Sequence, residues 1–175
     1  MLAAGDRALP NDPIQPSFTH ISKMFAPLGR KTVIWHVVKN ALRTVEQVTL
    51  IIKPKFEKHF RNFLPSKDFD QKVQFAFQPK ARGSADALRH AYKQKRIPLA
   101  DQILILMGYQ PLFPSQYFNA LFNQNIVQKT LATVSTMKIP KDDPDFEKCG
   151  VVEFDELGNF QRIVKTSQVA KAPIL

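Results

Sequence analysis

Hydrophobic and polar positions follow two different periods along this chain, and each period predicts a different element. From Lys31 to Val45 the apolar residues are Val33, Ile34, Val37, Val38, Ala41, Leu42 and Val45, with Lys39, Asn40 and Arg43 between them. That stripe predicts an amphipathic helix with one face in a core. Val48–Ile52 is a short run rich in β-branched residues, and Pro54 ends it, so it predicts a buried strand. Phe56, Phe60, Phe63 and Leu64 then fall on one face of a helix that Pro65 stops. Val73, Phe75 and Phe77 alternate with polar or small residues, which predicts the next strand. Gly83 and Ser84 open a helix running to about Lys95. Ser84 is expected as its N-cap, Asp86 at its positive end, and Leu88, Ala91 and Tyr92 along its apolar side.

Further on, Ile103–Met107 is continuously apolar, as a strand covered on both faces would be. A helix is predicted over Ser115–Asn123, with Tyr117, Phe118, Leu121 and Phe122 inward, and another strand over Thr130–Ile139. Val151–Phe154 and Phe160–Val164 read as a hairpin turning through Asp155–Asn159. Pro10, Pro13 and Pro16 keep Asp6–Ser22 out of any regular helix. Strands alternating with helices imply right-handed βαβ units. The fold class is therefore α/β, a doubly wound and mostly parallel sheet of Rossmann-like type, with a small C-terminal β-hairpin. In such a sheet ligands bind beyond the carboxyl ends of the strands, where Gly5, Gln78 and Gly108 would stand.

The 175 residues, 44% hydrophobic and 23% charged, suit one globular domain over 1–175. The lone cysteine, Cys149, cannot form an internal disulfide. No apolar run is long enough to span a bilayer, and the N-terminus lacks the pattern of a secretory signal, so a cytoplasmic protein without a membrane partner is expected. A formal net charge of +10 favours anionic ligands. The basic residues are scattered, apart from Lys53-Pro54-Lys55 and Lys93–Arg96, with no aromatic-interleaved stripe, so no dedicated nucleic-acid site is expected. His20, His36, His59 and His90 lack ligand spacing, and Asp142, Asp143 and Asp145 read as a solvated acidic turn.

The small-residue string Leu2-Ala3-Ala4-Gly5 after a strand would let backbone N–H groups approach a phosphate, since no large side chain intervenes. Together with Ser22-Lys23, Leu28-Gly29-Arg30-Lys31, Trp35-His36-Val37-Val38, Gln78, Gly83-Ser84-Ala85-Asp86-Ala87 and Met107-Gly108-Tyr109-Gln110-Pro111-Leu112, it resembles the sugar-1-phosphate nucleotidyltransferases. The similarity runs from Leu2 to about Val164. It is greatest to the uridyltransferase branch that acts on N-acetylglucosamine-1-phosphate for cell-envelope precursors.

The resemblance implies that UTP or a UDP-sugar is bound. Leu2, Ala3, Ala4 and Gly5 would hold base and phosphates through backbone groups. Gln78 would read the uracil edge with its donor and acceptor, and Gly83 and Ser84 would continue that recognition. Gly108 and Tyr109 would line the nucleotide, Lys23 would neutralise the triphosphate as the catalytic cation, and Gly150 would approach the sugar phosphate. Mg²⁺ is the cofactor the family implies. The sequence departs from the pattern in three places. Arg7, Ala8 and Leu9 replace a glycine, a threonine and an arginine. Tyr109 stands where the metal-binding aspartate belongs, and Lys165 falls near a glutamate of the last hairpin. A neutral phenol is a poor Mg²⁺ ligand, so metal ligands among these residues are none. Measured against the family, the domain is expected to be incomplete at both ends, with a shortened first strand and no C-terminal sugar-binding part. Three readings stand: a uridylyltransferase, a non-catalytic nucleotide- or protein-binding relic of that family, and a basic nucleic-acid module.

Overall fold

A computed structural model describes residues 2–3, 23–69, 71–80, 82–97, 102–140, 142–143, 146, 150–157 and 159–165. The chain divides into two compact units, Met1–Leu131 and Ala132–Leu175, and each is taken by itself. The predicted loop Asp6–Ser22, together with His20, Asp145 and Cys149, lies outside the described residues.

The first unit is built on a four-stranded sheet. Its strands are β1 (Leu2–Ala3), β4 (Val48–Ile52), β5 (Val73–Phe77) and β6 (Leu106–Met107), in the order β5-β4-β1-β6 and all parallel. A short antiparallel pair, β2 (Pro27–Leu28) and β3 (Lys31–Thr32), leads into α1 (Val33–Ala41). The other helices are α2 (Glu57–Phe63), α3 (Ser66–Phe69), α4 (Ser84–Lys93) and α5 (Ser115–Gln128).

The strand period decides what each face of the sheet meets. Val48, Leu50 and Ile52 of β4 and Phe75 of β5 pack with Ile34, Val37, Val38 and Ala41 of α1, and with Phe56, Phe60, Leu64 and Phe69. Ile51 and Ala76, one step out of phase, pack on the other face against Ala87 and Ala91 of α4. The sheet is therefore covered on both sides, as the doubly wound class requires. The two faces differ in kind. The α1–α2 side is filled by large aromatic and branched residues. The α4 side uses alanines, which bring the helix backbone close to the strands. Thr49 Oγ1 (2.6 Å) and Gln74 Nε2 (2.7 Å) both donate to Arg96 O, which ties the end of that helix to the sheet.

Strand β5 is an edge, so its outer backbone groups need partners. Gln94 supplies them at Phe77. The Phe77 N–H donates to Gln94 Oε1 at 2.9 Å, and Gln94 Nε2 donates to Phe77 O at 2.6 Å. This side chain acts as one residue of a missing neighbour strand, and it fixes the backbone just before Gln78.

The structure corrects several expectations. Only Leu106–Met107 of the run Ile103–Met107 is strand, and Ile103 and Ile105 are 47% and 45% exposed. Among the described residues that segment lies at the edge beside β1, where Leu106 pairs with Leu2 and Met107 with Ala3. Thr130–Ile139 forms no strand: Leu131, Val134 and Met137 are exposed. Their spacing of three does not put them on one strand face. Tyr92 is 71% exposed, and Ala87 takes its expected place on the buried side of α4. Phe63 is exposed at the rim of the core but stacks on Phe25, with ring centroids 5.0 Å apart. Helix α5 runs on to Gln128, where Lys129 (φ 48°) ends it and Asn125 Nδ2 donates to Thr130 O at 3.0 Å. Of its predicted inward residues only Phe118 is fully buried.

The second unit contains the predicted hairpin, β7 (Gly150–Phe154) and β8 (Phe160–Lys165). Asp155 closes its turn by accepting from the backbone N–H groups of Leu157 (3.0 Å) and Asn159 (2.7 Å). Glu153 and Arg162, directly opposite each other, are joined by a 2.6 Å bond across the strands.

Candidate functional site

Because all four strands of the first unit's sheet are parallel, their carboxyl ends share one edge. Gln78 follows β5, Ala3 ends the described part of β1, and Gly108 and Tyr109 follow β6. Three inter-strand steps, about 14 Å in all, separate the β5 end from the β6 end. The two ends differ in chemistry.

At the β5 end the Gln78 backbone N–H continues the ladder by donating to Ile52 O at 2.9 Å. Its side chain is 9% exposed, and its Nε2 donates to Asp86 Oδ2 at 2.7 Å and, more weakly, to Gly83 O at 3.4 Å. Gly83, not Ser84, is the N-cap of α4. It sits at φ 98°, ψ 174°, and no side-chain cap bond is made. Ser84 is the first helical residue and is exposed. Asp86 is more than the dipole partner its first-turn position suggests. It bonds Gln78 on one oxygen and Arg89 on the other, with His90 Nε2 3.5 Å away. The Gln78 hydrogen bond, then that of Arg89, hold its carboxyl below the ordinary value of 3.8, against the opposing pull of burial. This contribution to stability is complete above the ordinary value and is lost as pH falls through the lower folded value.

The conformation of Gly83 is one that residues with a side chain rarely adopt, although an added Cβ would meet nothing within 4 Å. Gly83→Ala is therefore expected to cost about 1–3 kcal/mol through backbone strain alone. It should also displace the carbonyl that Gln78 faces. Thermal unfolding checks the first effect and nucleotide titration the second.

At the β6 end Lys23 lies in a single 3-10 turn, Lys23–Phe25, whose Met24 and Phe25 are buried. Its Nζ stands 4.5 Å from the centroid of the Tyr109 ring. Beside them, a Cβ at Gly108 would lie 2.7 Å from Met24 Sδ, so glycine there leaves room for the buried Met24 side chain. Asn40 of α1 steadies the following segment, with Nδ2 donating to Phe113 O (3.3 Å) and Pro111 O (3.4 Å). Lys23, Gly108 and Tyr109 are thus brought together by packing between residues far apart in the chain. Leu2 and Ala3 lie in β1, between β4 and β6 in the sheet; Ala4, Gly5, Arg7, Ala8 and Leu9 lie outside the described residues. Gly150 belongs to the second unit, at the start of β7. There a Cβ would meet Ile163 Cγ2 at 2.8 Å, which is a packing reason for glycine at that position.

Sequence reasoning missed the partnership of Gln78 with Asp86. The signal was present: an amide at a strand end, followed by a glycine turn and an acid in the first helical turn. A separate cavity of about 250 Å³, lined by Arg61, Leu64, Phe69, Gln71, Val73 and Phe75, contains none of these site residues. Its arginine is already paired with Glu57 at 2.7 Å.

A parallel sheet with helices packed on both faces defines an α/β protein of the doubly wound, Rossmann-like class. The chain belongs to the nucleotidyl transferase family, whose model matches residues 17–167. It is also similar to the bifunctional protein GlmU of Lactobacillus johnsonii, at 30% identity over 147 residues. That alignment covers 82% of this chain and 30% of the relative's length. Among the described residues, no helix is long and apolar enough to cross a membrane.

The described residues at the β6 end do not by themselves fit Mg²⁺. The group there is a phenol with an ammonium over its ring, whereas Mg²⁺ seeks anionic or other hard oxygens in octahedral array. Among the described residues no cluster of three His, Cys, Asp or Glu side chains could hold a metal ion.

Proposed function

We propose that the crevice along the carboxyl edge binds a uridine nucleotide, with the base at Gln78, Gly83 and Ser84 and the phosphates toward Lys23, Gly108 and Tyr109. The observation that carries this reading is the division of the edge into a hydrogen-bonding end, where the Asp86 carboxylate is already paired with Arg89, and a cationic end about 14 Å away. Backbone groups of Leu2 and Ala3, in β1 between β4 and β6, would contribute to the crevice. Residues 1–175 would form one nucleotidyltransferase-like domain of a cytoplasmic protein.

The reaction this arrangement suits is transfer of a uridylyl group to N-acetylglucosamine-1-phosphate. A phosphate oxygen of the sugar-1-phosphate attacks the α-phosphorus of UTP. The bond from that phosphorus to the bridging oxygen breaks, and pyrophosphate leaves with the electron pair. In such a step the protein's part is positioning and neutralisation. Lys23 is the residue that would offset charge on the leaving pyrophosphate. Pyrophosphate release from UTP and N-acetylglucosamine-1-phosphate tests the proposal.

A second reading is favoured by Tyr109, whose phenol and overlying ammonium suit holding a nucleotide better than loading Mg²⁺. In that case UTP binds with an affinity indifferent to Mg²⁺ and no pyrophosphate is released.

A further inference from the structure

The Gln78 amide has two N–H donors on one side and an acceptor oxygen on the other. Its nitrogen faces Asp86 Oδ2 and Gly83 O. Both of these atoms can only accept, so turning the amide over would set oxygen against oxygen. The orientation is therefore dictated by chemistry. The acceptor, Oε1, is given no donor by any described residue. It also keeps contact with solvent, because Thr32 Oγ1 is the sole fully buried side-chain nitrogen or oxygen without a partner among the described residues. The sequence suggested that Gln78 would offer a ligand both donor and acceptor. Asp86 Oδ2 and, more weakly, Gly83 O take up its donors and leave the acceptor for a ligand.

We infer that Asp86 is a specificity-determining residue: by holding the Gln78 amide with its oxygen toward the crevice, it selects a base that presents an N–H there. Uracil does so with its N3–H. Cytosine presents a lone pair at N3, which would meet the lone pairs of Oε1. Adenine likewise presents a lone pair at N1, whereas guanine presents an N–H but is a larger, two-ring base. Asp86 acts through Gln78 and is a positioning residue. The inference rests on the proposed reading of the crevice as a nucleotide site.

The test is calorimetric titration of the full chain and of Asp86→Asn with UTP and with CTP. The unaltered chain is expected to prefer UTP by roughly 10- to 100-fold, the scale of one buried hydrogen bond exchanged for a lone-pair clash. In Asp86→Asn the new amide can either accept from Gln78 or donate to it, so the two amides can turn over together against the weak 3.4 Å contact with Gly83 O alone. The preference should then shrink to within about 3-fold. Equal affinity for UTP and CTP in the unaltered chain, or a preference that survives Asp86→Asn, overturns the inference while leaving the nucleotide site standing. Failure of the unaltered chain to bind any nucleotide overturns the site and the inference together. A second measurement needs neither a variant nor a ligand. In the free protein the side-chain amide resonances of Gln78 should shift as acid protonates Asp86, and resonances that ignore this titration contradict the inference.

Discussion

Phe60→Ala lowers the stability of the first unit by about 3–5 kcal/mol. Phe60 is 1% exposed and is among the largest fully buried side chains. Its ring meets Phe25 edge-on at 4.6 Å and tilts against Phe75 at 6.5 Å, so it joins α2 to the Lys23–Phe25 turn and to β5. Truncation removes the transfer free energy of a buried ring and leaves a cavity that packed aromatic neighbours refill only in part. The consequence reaches the site, because Phe25 follows Lys23 by two residues and both lie in the same turn. Urea unfolding of Phe60→Ala should show a lower midpoint with an unchanged slope. A loss under about 1 kcal/mol would mean that the aromatic cluster is not the centre of this core.

Lys23→Met weakens UTP binding by roughly 10- to 150-fold, the range for losing a hydrogen bond to a charged group. The substitution keeps an unbranched apolar stem of similar length against Tyr109, so the fold should survive while the charge is lost. Uridine, which has no phosphates, should bind Lys23→Met as it binds the unaltered chain. Equal loss for uridine and UTP would place Lys23 elsewhere than at the phosphates. Lys23→Arg should restore much of the affinity, since a guanidinium also stacks on an aromatic ring and bonds phosphate oxygens.

Much of the first unit's fold was legible because local pattern and tertiary role agree there. Val48–Ile52 is β-branched, buried and central, and it is a strand over the predicted residues. The alternation of Val73, Phe75 and Phe77 is an equally direct reading. The helical stripe predicted from Lys31 to Val45 is helix over Val33–Ala41 alone: Lys31 and Thr32 pair in β3, and Leu42 and Val45 pack on the core from beyond the helix end. The expectation for Ile103–Met107 overreached because a continuous apolar run cannot say which of its residues find a partner strand; among the described residues only Leu106 and Met107 do, with Leu2 and Ala3. Thr130–Ile139 has β-branched residues but no partner strand among the described residues, and β-propensity without pairing does not make a strand. The far end of α5, Gln124–Gln128, has no apolar face turned to the core, so periodicity had nothing to detect.

The candidate site was legible at the level of position and not at the level of bonding. The ends of β5 and β6 are where Gln78 and Gly108 were expected. The bond from Gln78 to Asp86 depends on how the Gly83 turn folds back, and a string of residues does not display that geometry. The approach of Lys23 to Tyr109 is likewise a contact between residues far apart in the chain, as is that of Met24 beside Gly108.

The most direct test of the nucleotide crevice is a map of amide resonance changes as UTP is added to the ¹⁵N-labelled chain. The expected shifts fall at Ala3, Lys23, Gln78, Gly83, Ser84, Gly108 and Tyr109, along the carboxyl edge of one sheet. Shifts gathered instead around Arg61, Gln71 and Val73, or no shifts at all, would contradict it.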